Sequence, residues 1–220
     1  MDKNKYIIIA LDGAAGSGKS TTARAICEKY KYIHVDTGLH YRAVSLHLLN
    51  LNINPESAPD YLLSTPLIFS SKLNEFSVQL LLDGTHYSKS SLRNERMNRE
   101  VSYYARIPEV RNLLLNYQRS LPGFGKNRGF SGIIMDGRDI GSVILPDAHI
   151  KIFLYADLQV RQGRRLSDGE PDSISSRDQI DSTRKIAPLT CPDNAISIDT
   201  GKLSLHEVVQ LISNEISSLQ

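Results

Sequence analysis

Residues 6–20 have the sequence Tyr-Ile-Ile-Ile-Ala-Leu-Asp-Gly-Ala-Ala-Gly-Ser-Gly-Lys-Ser, an apolar run followed by glycines and a lysine. The run Tyr6–Leu11 is continuous rather than alternating, which predicts a strand buried on both faces of a parallel sheet. The segment Ser20–Lys31 then has apolar residues at helical spacing, so the glycines join a strand to a helix. This stretch predicts the α/β fold class.

The same glycines carry the first functional signal. Residues 13–20 match the pattern G-x-x-x-x-G-K-S in the strand–helix context that the pattern requires. Backbone N–H groups of such a loop cradle phosphates, the lysine reaches the terminal phosphates, and the serine hydroxyl binds Mg²⁺. We therefore expect a nucleoside triphosphate to bind at Gly13, Ala14, Ala15, Gly16, Ser17, Gly18, Lys19, Ser20 and Thr21.

Composition limits the kind of ligand and partner. The 220 residues include 26 basic and 24 acidic side chains, and a net charge of +2 argues against a nucleic-acid partner. Of the basic residues 15 are arginine, whose planar fork suits phosphates and carboxylates. Apolar runs such as Tyr6–Leu11 and Lys151–Tyr155 are far shorter than the ~18 residues of a membrane span. We expect a cytoplasmic protein with no membrane partner.

Strand and helix patterns alternate along most of the chain. Apolar runs at Tyr32–Val35, Gly132–Asp136, His149–Tyr155 and Ala195–Asp199 predict further strands. Helical patterns follow these strands, which predicts a doubly wound parallel sheet of about five strands.

An insertion interrupts this alternation after the second strand–helix unit. Short strand patterns occur at Leu67–Phe69, Phe76–Leu82 and Thr85–Tyr87, with Asp83-Gly84 as a hairpin turn between the last two. They predict a small antiparallel sheet in an inserted lobe. Helices are predicted over Arg93–Arg106 and Glu109–Ser120, and the proline and glycines of residues 122–129 predict a connector.

Carboxylates and arginines cluster at the predicted carboxyl ends of the strands, where open α/β sheets bind ligands. Asp136 ends an apolar strand, and a carboxylate there would reach Mg²⁺ through a water molecule. Arg138 and Asp139 follow at once, and Arg42 lies in the first turns of the helix after the second strand. The alternatives are a turn residue for Asp136 and a surface ion pair for its neighbours.

A later helix carries charges on one face, because Arg177, Asp181 and Arg184 have the spacing i, i+4, i+7. A purely structural helix can carry such a pair, which is worth only ~0.3–0.5 kcal/mol. Several arginines near a phosphate-binding loop nevertheless favour phosphoryl transfer, since its transition state spreads negative charge over oxygens.

These segments together resemble bacterial cytidylate kinases nearly from end to end. The motifs are G-x-x-G-x-G-K-S at 13–20, D-T-G-x-x-Y-R at 36–42, L-D-G-T-H-Y-S at 82–88, V-S at 101–102, P-E-V-R at 108–111, Q-R at 118–119, D-G-R-D at 136–139, R-D-x-x-D-x-x-R at 177–184, A-P-L at 187–189 and I-D-T-x-x-L-S at 198–204. The resemblance implies one kinase domain with a core at 1–50 and 107–220, a monophosphate-binding lobe at about 51–106, and a lid at about 161–177.

The resemblance also implies a reaction and its residues. The γ-phosphoryl group of Mg-ATP would pass to CMP, and also to dCMP, in a monomeric enzyme. Thr37, Tyr41, Arg42, Arg138 and Arg184 would hold the acceptor phosphate; Ser102, Arg111 and Asp139 would contact cytosine; Arg177 and Asp181 would contact the ribose. Lys19, Arg138, Arg184, Arg161 and Arg165 would act in catalysis, with Ser20 and, through water, Asp136 at the metal.

Base chemistry supports one of these roles independently. The cytosine amino group is a hydrogen-bond donor, so an acceptor such as Asp139 suits it. Uracil presents a carbonyl oxygen at the same place and would be repelled.

Two departures from the family pattern keep alternatives open. Thr37 replaces the usual serine, and the segment Leu166–Ser176 is shorter than the usual lid. A lid normally excludes water and brings an arginine to the transferring group, so the choice among Arg161, Arg164 and Arg165 stays open. The alternatives are a kinase for another acceptor such as UMP, and a nucleotide-binding regulator with an impaired lid.

Overall fold

The computed structural model describes residues 5–169 and 174–219. The strands are β1 (Ile7–Gly13), β2 (Tyr32–Asp36), β3 (Phe69–Asn74), β4 (Ser77–Leu82), β5 (Gly132–Gly137), β6 (Ile150–Tyr155) and β7 (Ile196–Asp199). The helices are α1 (Lys19–Tyr30), α2 (Thr37–Asn50), α3 (Ala58–Ser64), α4 (Lys89–Leu92), α5 (Glu95–Ala105), α6 (Pro108–Lys126), α7 (Leu158–Ser167), α8 (Ile174–Thr183) and α9 (Leu205–Leu219). A π-helical turn spans Ile140–Ile144.

The α/β class and the parallel core are confirmed, but the sheet is larger than predicted. Its order is β3-β4-β2-β5-β1-β6-β7, and the five expected strands β2, β5, β1, β6 and β7 are parallel to their neighbours. The inserted strands do not form a separate small sheet. Strand β4 pairs in parallel with β2 at His34 and Ser77, and β3 pairs antiparallel with β4, which makes seven strands.

The hairpin itself differs from the sequence prediction. Strands β3 and β4 are joined at Glu75, which has a φ of 52°. The predicted turn at Asp83-Gly84 is present, with both residues at positive φ, but the strand after it is reduced to one bridge between Leu82 and Thr85. The antiparallel ladder therefore lies between β3 and β4, whereas the sequence predicts it between residues 76–82 and 85–87.

Apolar side chains cover both faces of the parallel core. Ile7, Ile9 and Leu11 of β1 pack in a cluster with residues of α1 and α9. On the opposite face Ala10 packs in a second cluster that includes Leu121 of α6. This double burial explains why the β1 sequence is continuously apolar. A third cluster joins α2 and α6 to residues of the inserted lobe, including those of α5.

Helix α6 corrects the predicted connector, because it continues through Pro122 to Lys126. A Cβ on Gly125 would lie 2.5 Å from Tyr6 Oη and 2.6 Å from Ile33 Cδ1. The glycine therefore serves close packing of the helix on the sheet rather than chain flexibility.

The predicted lid at about 161–177 includes most of α7 and the start of α8, whereas its residues 170–173 lie outside the described ones. Within residues 5–169 and 174–219, none of the helices is long and apolar enough to cross a membrane.

Candidate active site

The phosphate-binding loop (residues 13–20) follows β1 and opens α1, as predicted. Gly13 and Gly16 both have positive φ values, of 152° and 72°. A Cβ at Gly13 would lie 2.2 Å from the backbone oxygen of Leu154, and one at Gly16 would lie 2.8 Å from that of Arg161. Both positions need glycine, because β6 and α7 press against the loop.

The Lys19 ammonium folds back over this loop. Its Nζ donates to the carbonyl oxygens of Gly13, at 2.7 Å, and Ala14, at 2.8 Å. Burial, the larger cause, and the nearby Arg138 charge together lower the Lys19 pKa to about 7. A phosphate arriving at the loop would favour the charged ammonium again.

Ser20 and Asp136 meet beside the loop. The Ser20 hydroxyl donates to Asp136 Oδ2 at 2.9 Å, and the His34 ring nitrogen Nε2 lies 3.3 Å from Asp136 Oδ1. Burial acts to lower the pKa of His34, but the Asp136 carboxylate outweighs it and raises that pKa. Thr37 donates its hydroxyl to the Asp136 backbone oxygen at 2.8 Å.

This donor set suits Mg²⁺. The Ser20 hydroxyl and the Asp136 carboxylate are hard oxygen ligands within hydrogen-bond distance of each other. Among the described residues, no group of three or more His, Cys, Asp or Glu side chains could hold a metal ion alone. The residues present fit a Mg²⁺ ion that takes its other ligands from water and substrate phosphates.

A carboxylate from α8 lies on the phosphate-binding loop. Asp178 Oδ1 accepts a hydrogen bond from the Ala15 backbone N–H at 3.2 Å, and Oδ2 accepts one from Arg161. Arg138 Nη2 is 3.5 Å from the same carboxylate. The Asp178 carboxylate thus binds one loop N–H and two arginines, which are groups that could otherwise bind a phosphate.

Arg138 and Arg184 are held by aspartates in the same way. Arg138 donates to the Gly13 oxygen at 2.8 Å, and its Nε lies 2.9 Å from Asp181 Oδ2. Arg184 Nη2 lies 3.3 Å from Asp139 Oδ1. Burial lowers the pKa of Arg184, and the nearby Arg111 charge acts in the same direction.

Asp139 sits at the carboxyl end of β5 between two arginines. Arg111 donates to its Oδ2, while Arg184 faces its Oδ1. Burial raises the pKa of Asp139, and the two guanidinium groups oppose that rise. The Arg111 guanidinium also lies 5.2 Å from the centre of the Tyr41 ring.

Arg42 is fixed by the inserted lobe. Its guanidinium donates to the Leu92 oxygen at 2.6 Å and to Asn98 Oδ1 at 2.8 Å. Burial, the largest cause, and the nearby Arg177 and Arg93 charges together lower the pKa of Arg42 to about 9. A second bridge between lobe and core joins Arg93 Nη2 to Asp36 Oδ2 at 2.6 Å.

One cavity of about 670 Å³ lies between the loop, the sheet edge and the inserted lobe. It brings together the predicted residues Ala15, Gly16, Ser17, Gly18, Lys19, Ser20, Thr21, Thr37, Tyr41, Arg42, Ser102, Asp136, Arg138, Asp139, Arg165, Arg177, Asp181 and Arg184. The predicted residues Gly13, Ala14, Arg111 and Arg161 stand outside the lining. Arg111 donates to Asp139 Oδ2, and Arg161 donates to the Ala15 backbone oxygen at 3.0 Å.

Comparison with known proteins agrees with this geometry. The family model described as "Cytidylate kinase" matches residues 9–218. The chain belongs to the cytidylate kinase family. A cytidylate kinase of Chloroherpeton thalassium is 37% identical over 235 residues, covering 98% of this chain and 97% of the relative. One from Fusobacterium nucleatum subsp. nucleatum is 38% identical over 225 residues, covering 97% and 99%.

A solved structure supports the fold alone. An uncharacterized protein from Eubacterium ventriosum superposes with a TM-score of 0.51 at 15% identity, covering 96% of this chain and 99% of that chain.

Sequence reasoning missed two aspartates of this member of the cytidylate kinase family. Asp178 contacts the loop, and Asp12 accepts from two backbone amides after Asp139. A signal for Asp178 was its place on the charged helix between Arg177 and Asp181. The sequence contains no signal for the role of Asp12, because its partners lie 128 and 129 residues away.

Proposed function

We propose that this member of the cytidylate kinase family transfers the γ-phosphoryl group of Mg-ATP to CMP, and also to dCMP. The observation that carries the proposal is one cavity containing both the phosphate-binding loop and Asp139. The loop supplies a site for the donor phosphates, and the carboxylate supplies an acceptor for the cytosine amino group.

The transfer needs positioning and charge neutralisation rather than a covalent intermediate. An oxygen of the CMP phosphate attacks the γ-phosphorus in line, and the bond from that phosphorus to the bridging oxygen of ADP breaks. The attacking oxygen is already anionic, so no general base is required. Lys19, Arg138, Arg161, Arg165 and Arg184 neutralise the charge on the phosphoryl oxygens in this proposal.

The acceptor would lie between the sheet edge and the lobe. Thr37, Tyr41 and Arg42 at the start of α2 would hold its phosphate together with Arg138 and Arg184. Its base would lie against Ser102, Arg111 and Asp139, and its ribose hydroxyls against Arg177 and Asp181. The buried positions of Ser102 and Asp139 support a desolvated base site.

A bound Mg²⁺ would be held by the Ser20 hydroxyl and, through water, by Asp136. When bound, the ion would neutralise phosphate charge and orient the donor.

The deciding experiment is a coupled assay of ADP release with CMP, dCMP, UMP and AMP as acceptors. We expect CMP and dCMP to give the highest kcat/KM. Equal rates with UMP or AMP would overturn the cytosine assignment. ADP release with none of the four would favour the nucleotide-binding regulator.

Replacing the base-contacting carboxylate tests the proposal at one residue. We expect Asp139→Ala to reduce kcat/KM for CMP by about a hundredfold and for UMP much less, because the lost acceptor served the amino group. The matched control is Asp147→Ala, which removes an exposed carboxylate. An equal loss with CMP and UMP would contradict a role for Asp139 in base recognition.

A further inference from the structure

Asp12 is a completely buried carboxylate at the end of β1, next to the phosphate-binding loop. Both of its oxygens have backbone partners. Oδ1 accepts a hydrogen bond from the Ile140 backbone N–H at 2.7 Å, and Oδ2 accepts one from the Gly141 N–H at 2.7 Å. Both donors open the π-helical turn Ile140–Ile144 that directly follows Asp139.

A helical turn that begins after an aspartate is normally capped by that aspartate. The first N–H groups of a helix have no partner within it, and the side chain at the N-cap position usually accepts from them. Asp139 occupies the N-cap position here, and its backbone oxygen accepts from Val143 at 3.0 Å and from Ile144 at 3.2 Å. In the described part of the chain, however, its side chain caps none of the N–H groups of the turn.

The two aspartates divide the tasks that one N-cap residue would otherwise combine. Asp12 accepts from the buried N–H groups of Ile140 and Gly141. Both oxygens of Asp139 point to arginines, Oδ2 to Arg111 and Oδ1 to Arg184. The Asp139 carboxylate can face the base only while another acceptor satisfies the N–H groups at 140 and 141, since buried unpaired donors are costly.

We propose that Asp12 is a positioning residue for acceptor specificity, which caps the Ile140–Ile144 turn so that Asp139 stays turned toward the base. The inference rests on the proposed function, because it acts through Asp139 as the acceptor of the cytosine amino group. Without Asp12, the conventional acceptor for the Gly141 N–H, the second of the turn, is the Asp139 side chain itself. Its rotation to that role removes it from Arg111 and Arg184.

The fit between Asp12 and the turn is close. A Cβ on Gly141 would lie 3.3 Å from Asp12 Oδ2, so a glycine leaves room for the carboxylate. Two acceptor oxygens match the two N–H groups, whereas an asparagine side chain offers one acceptor oxygen and one NH₂ group, which can only donate. The Asp12→Asn variant should therefore satisfy one N–H group and leave the other without its acceptor.

The test measures acceptor discrimination, defined as kcat/KM for CMP divided by kcat/KM for UMP. We expect Asp12→Ala to reduce this ratio about tenfold or more and Asp12→Asn to reduce it less, by analogy with the cost of removing residues that orient ligands. The KM for ATP is measured alongside, since Asp12 adjoins the phosphate-binding loop. In the Asp139→Ala background, the added Asp12→Ala change should leave the ratio where Asp139→Ala alone put it.

A destabilised control separates positioning from general damage. Ile216→Ala truncates a buried side chain of α9 in the cluster on the far face of β1 and should lower stability without lowering the ratio. The inference is overturned if the Asp12 variants keep the wild-type ratio, if they only raise the KM for ATP, or if Asp12→Ala lowers the ratio further in the Asp139→Ala background. Should Asp12→Ala fail to fold, Asp12→Asn decides by the same ratio.

The Asp139→Ala variant separates a failure of the proposed base recognition from a failure of the positioning role of Asp12. A ratio unchanged by Asp139→Ala overturns the proposed base recognition and the role of Asp12 with it. A ratio that falls with Asp139→Ala but not with the Asp12 variants overturns the positioning role alone.

Discussion

Cationic side chains in the cavity are held by carboxylate and carbonyl oxygens of the protein, which resemble the phosphate oxygens of a substrate. Arg138 faces Asp181, Arg184 faces Asp139, and Lys19 donates to carbonyl oxygens of its own loop. These partners keep buried cations satisfied, which a desolvated charge requires. Phosphate oxygens arriving with the substrates would exchange with partners that are already in place, so the cations need little reorganisation.

Lys19 is the residue whose loss should affect every acceptor. We expect Lys19→Ala to lower kcat by about a hundredfold or more with CMP, dCMP and UMP alike, because in the proposed mechanism the ammonium neutralises charge on the donor phosphates. The matched control is Lys29→Ala, on the far end of α1, where the ammonium donates to Ser213 Oγ. Coupled kinetics measure the effect, and unchanged kcat in Lys19→Ala would remove the lysine from the mechanism.

At the scale of elements, α8 links the predicted lid to the phosphate-binding loop. Its Asp178 accepts from the Ala15 N–H, and its Asp181 faces Arg138. The sequence spacing predicted a charged face on this helix, and Arg177, Asp181 and Arg184 do line the cavity. The contact of Asp178 with the loop could not be predicted from the sequence. It depends on how α8 packs against a loop that lies 163 positions earlier in the chain.

The Asp178 contact should oppose ATP binding in the absence of acceptor. The triphosphate and the Asp178 carboxylate would compete for the Ala15 N–H, and two like charges repel each other. We expect Asp178→Asn to lower the Kd for Mg-ATP about fivefold in calorimetric titrations without CMP, which corresponds to ~1 kcal/mol. Asp60→Asn, an exposed change on α3, is the control. An unchanged or higher Kd would show that α8 does not compete with the nucleotide.

Two other elements show where local patterns mislead. Pro122 and the glycines after it favour the end of a helix, but α6 continues because Gly125 allows close contact with Tyr6 and Ile33. The β3–β4 hairpin joins the main sheet through β2, a pairing that no spacing within the lobe encodes. In both cases packing against the sheet outweighs local preference.

At the scale of the whole molecule, stability should depend on the protonation of buried groups. His40 on α2 is 1% exposed and stacks edge-on against Tyr117, with the ring centres 5.3 Å apart. In the described part of the chain, neither of its ring nitrogens has a hydrogen-bond partner. Burial lowers the pKa of His40 to about 4, and the Asp36 charge opposes this only in part.

We expect His40 to destabilise the fold in acid. The unfolded chain binds a proton at this histidine below its ordinary pKa of about 6.5, but the folded chain binds it only near 4, so stability falls as pH decreases through this window. Between pH 7.5 and 5 the loss amounts to about 2 kcal/mol. Urea unfolding of wild type and His40→Phe at both pH values separates the contribution of His40 to this loss from that of other titrating groups. A difference between the two proteins that does not change with pH would contradict the prediction.

The sequence by itself determined the parallel α/β core, the phosphate-binding loop and the chemical types of the candidate site residues. These features depend on local spacing and on side-chain chemistry, which a linear pattern contains. Only the tertiary structure decided that β3 and β4 extend the main sheet, that Asp178 lies on the loop, and that Asp12 caps the turn after Asp139. The two aspartate contacts join residues more than a hundred positions apart, and the β2–β4 pairing joins His34 to Ser77 across the inserted segment. The packing of buried helices and strands fixes all three.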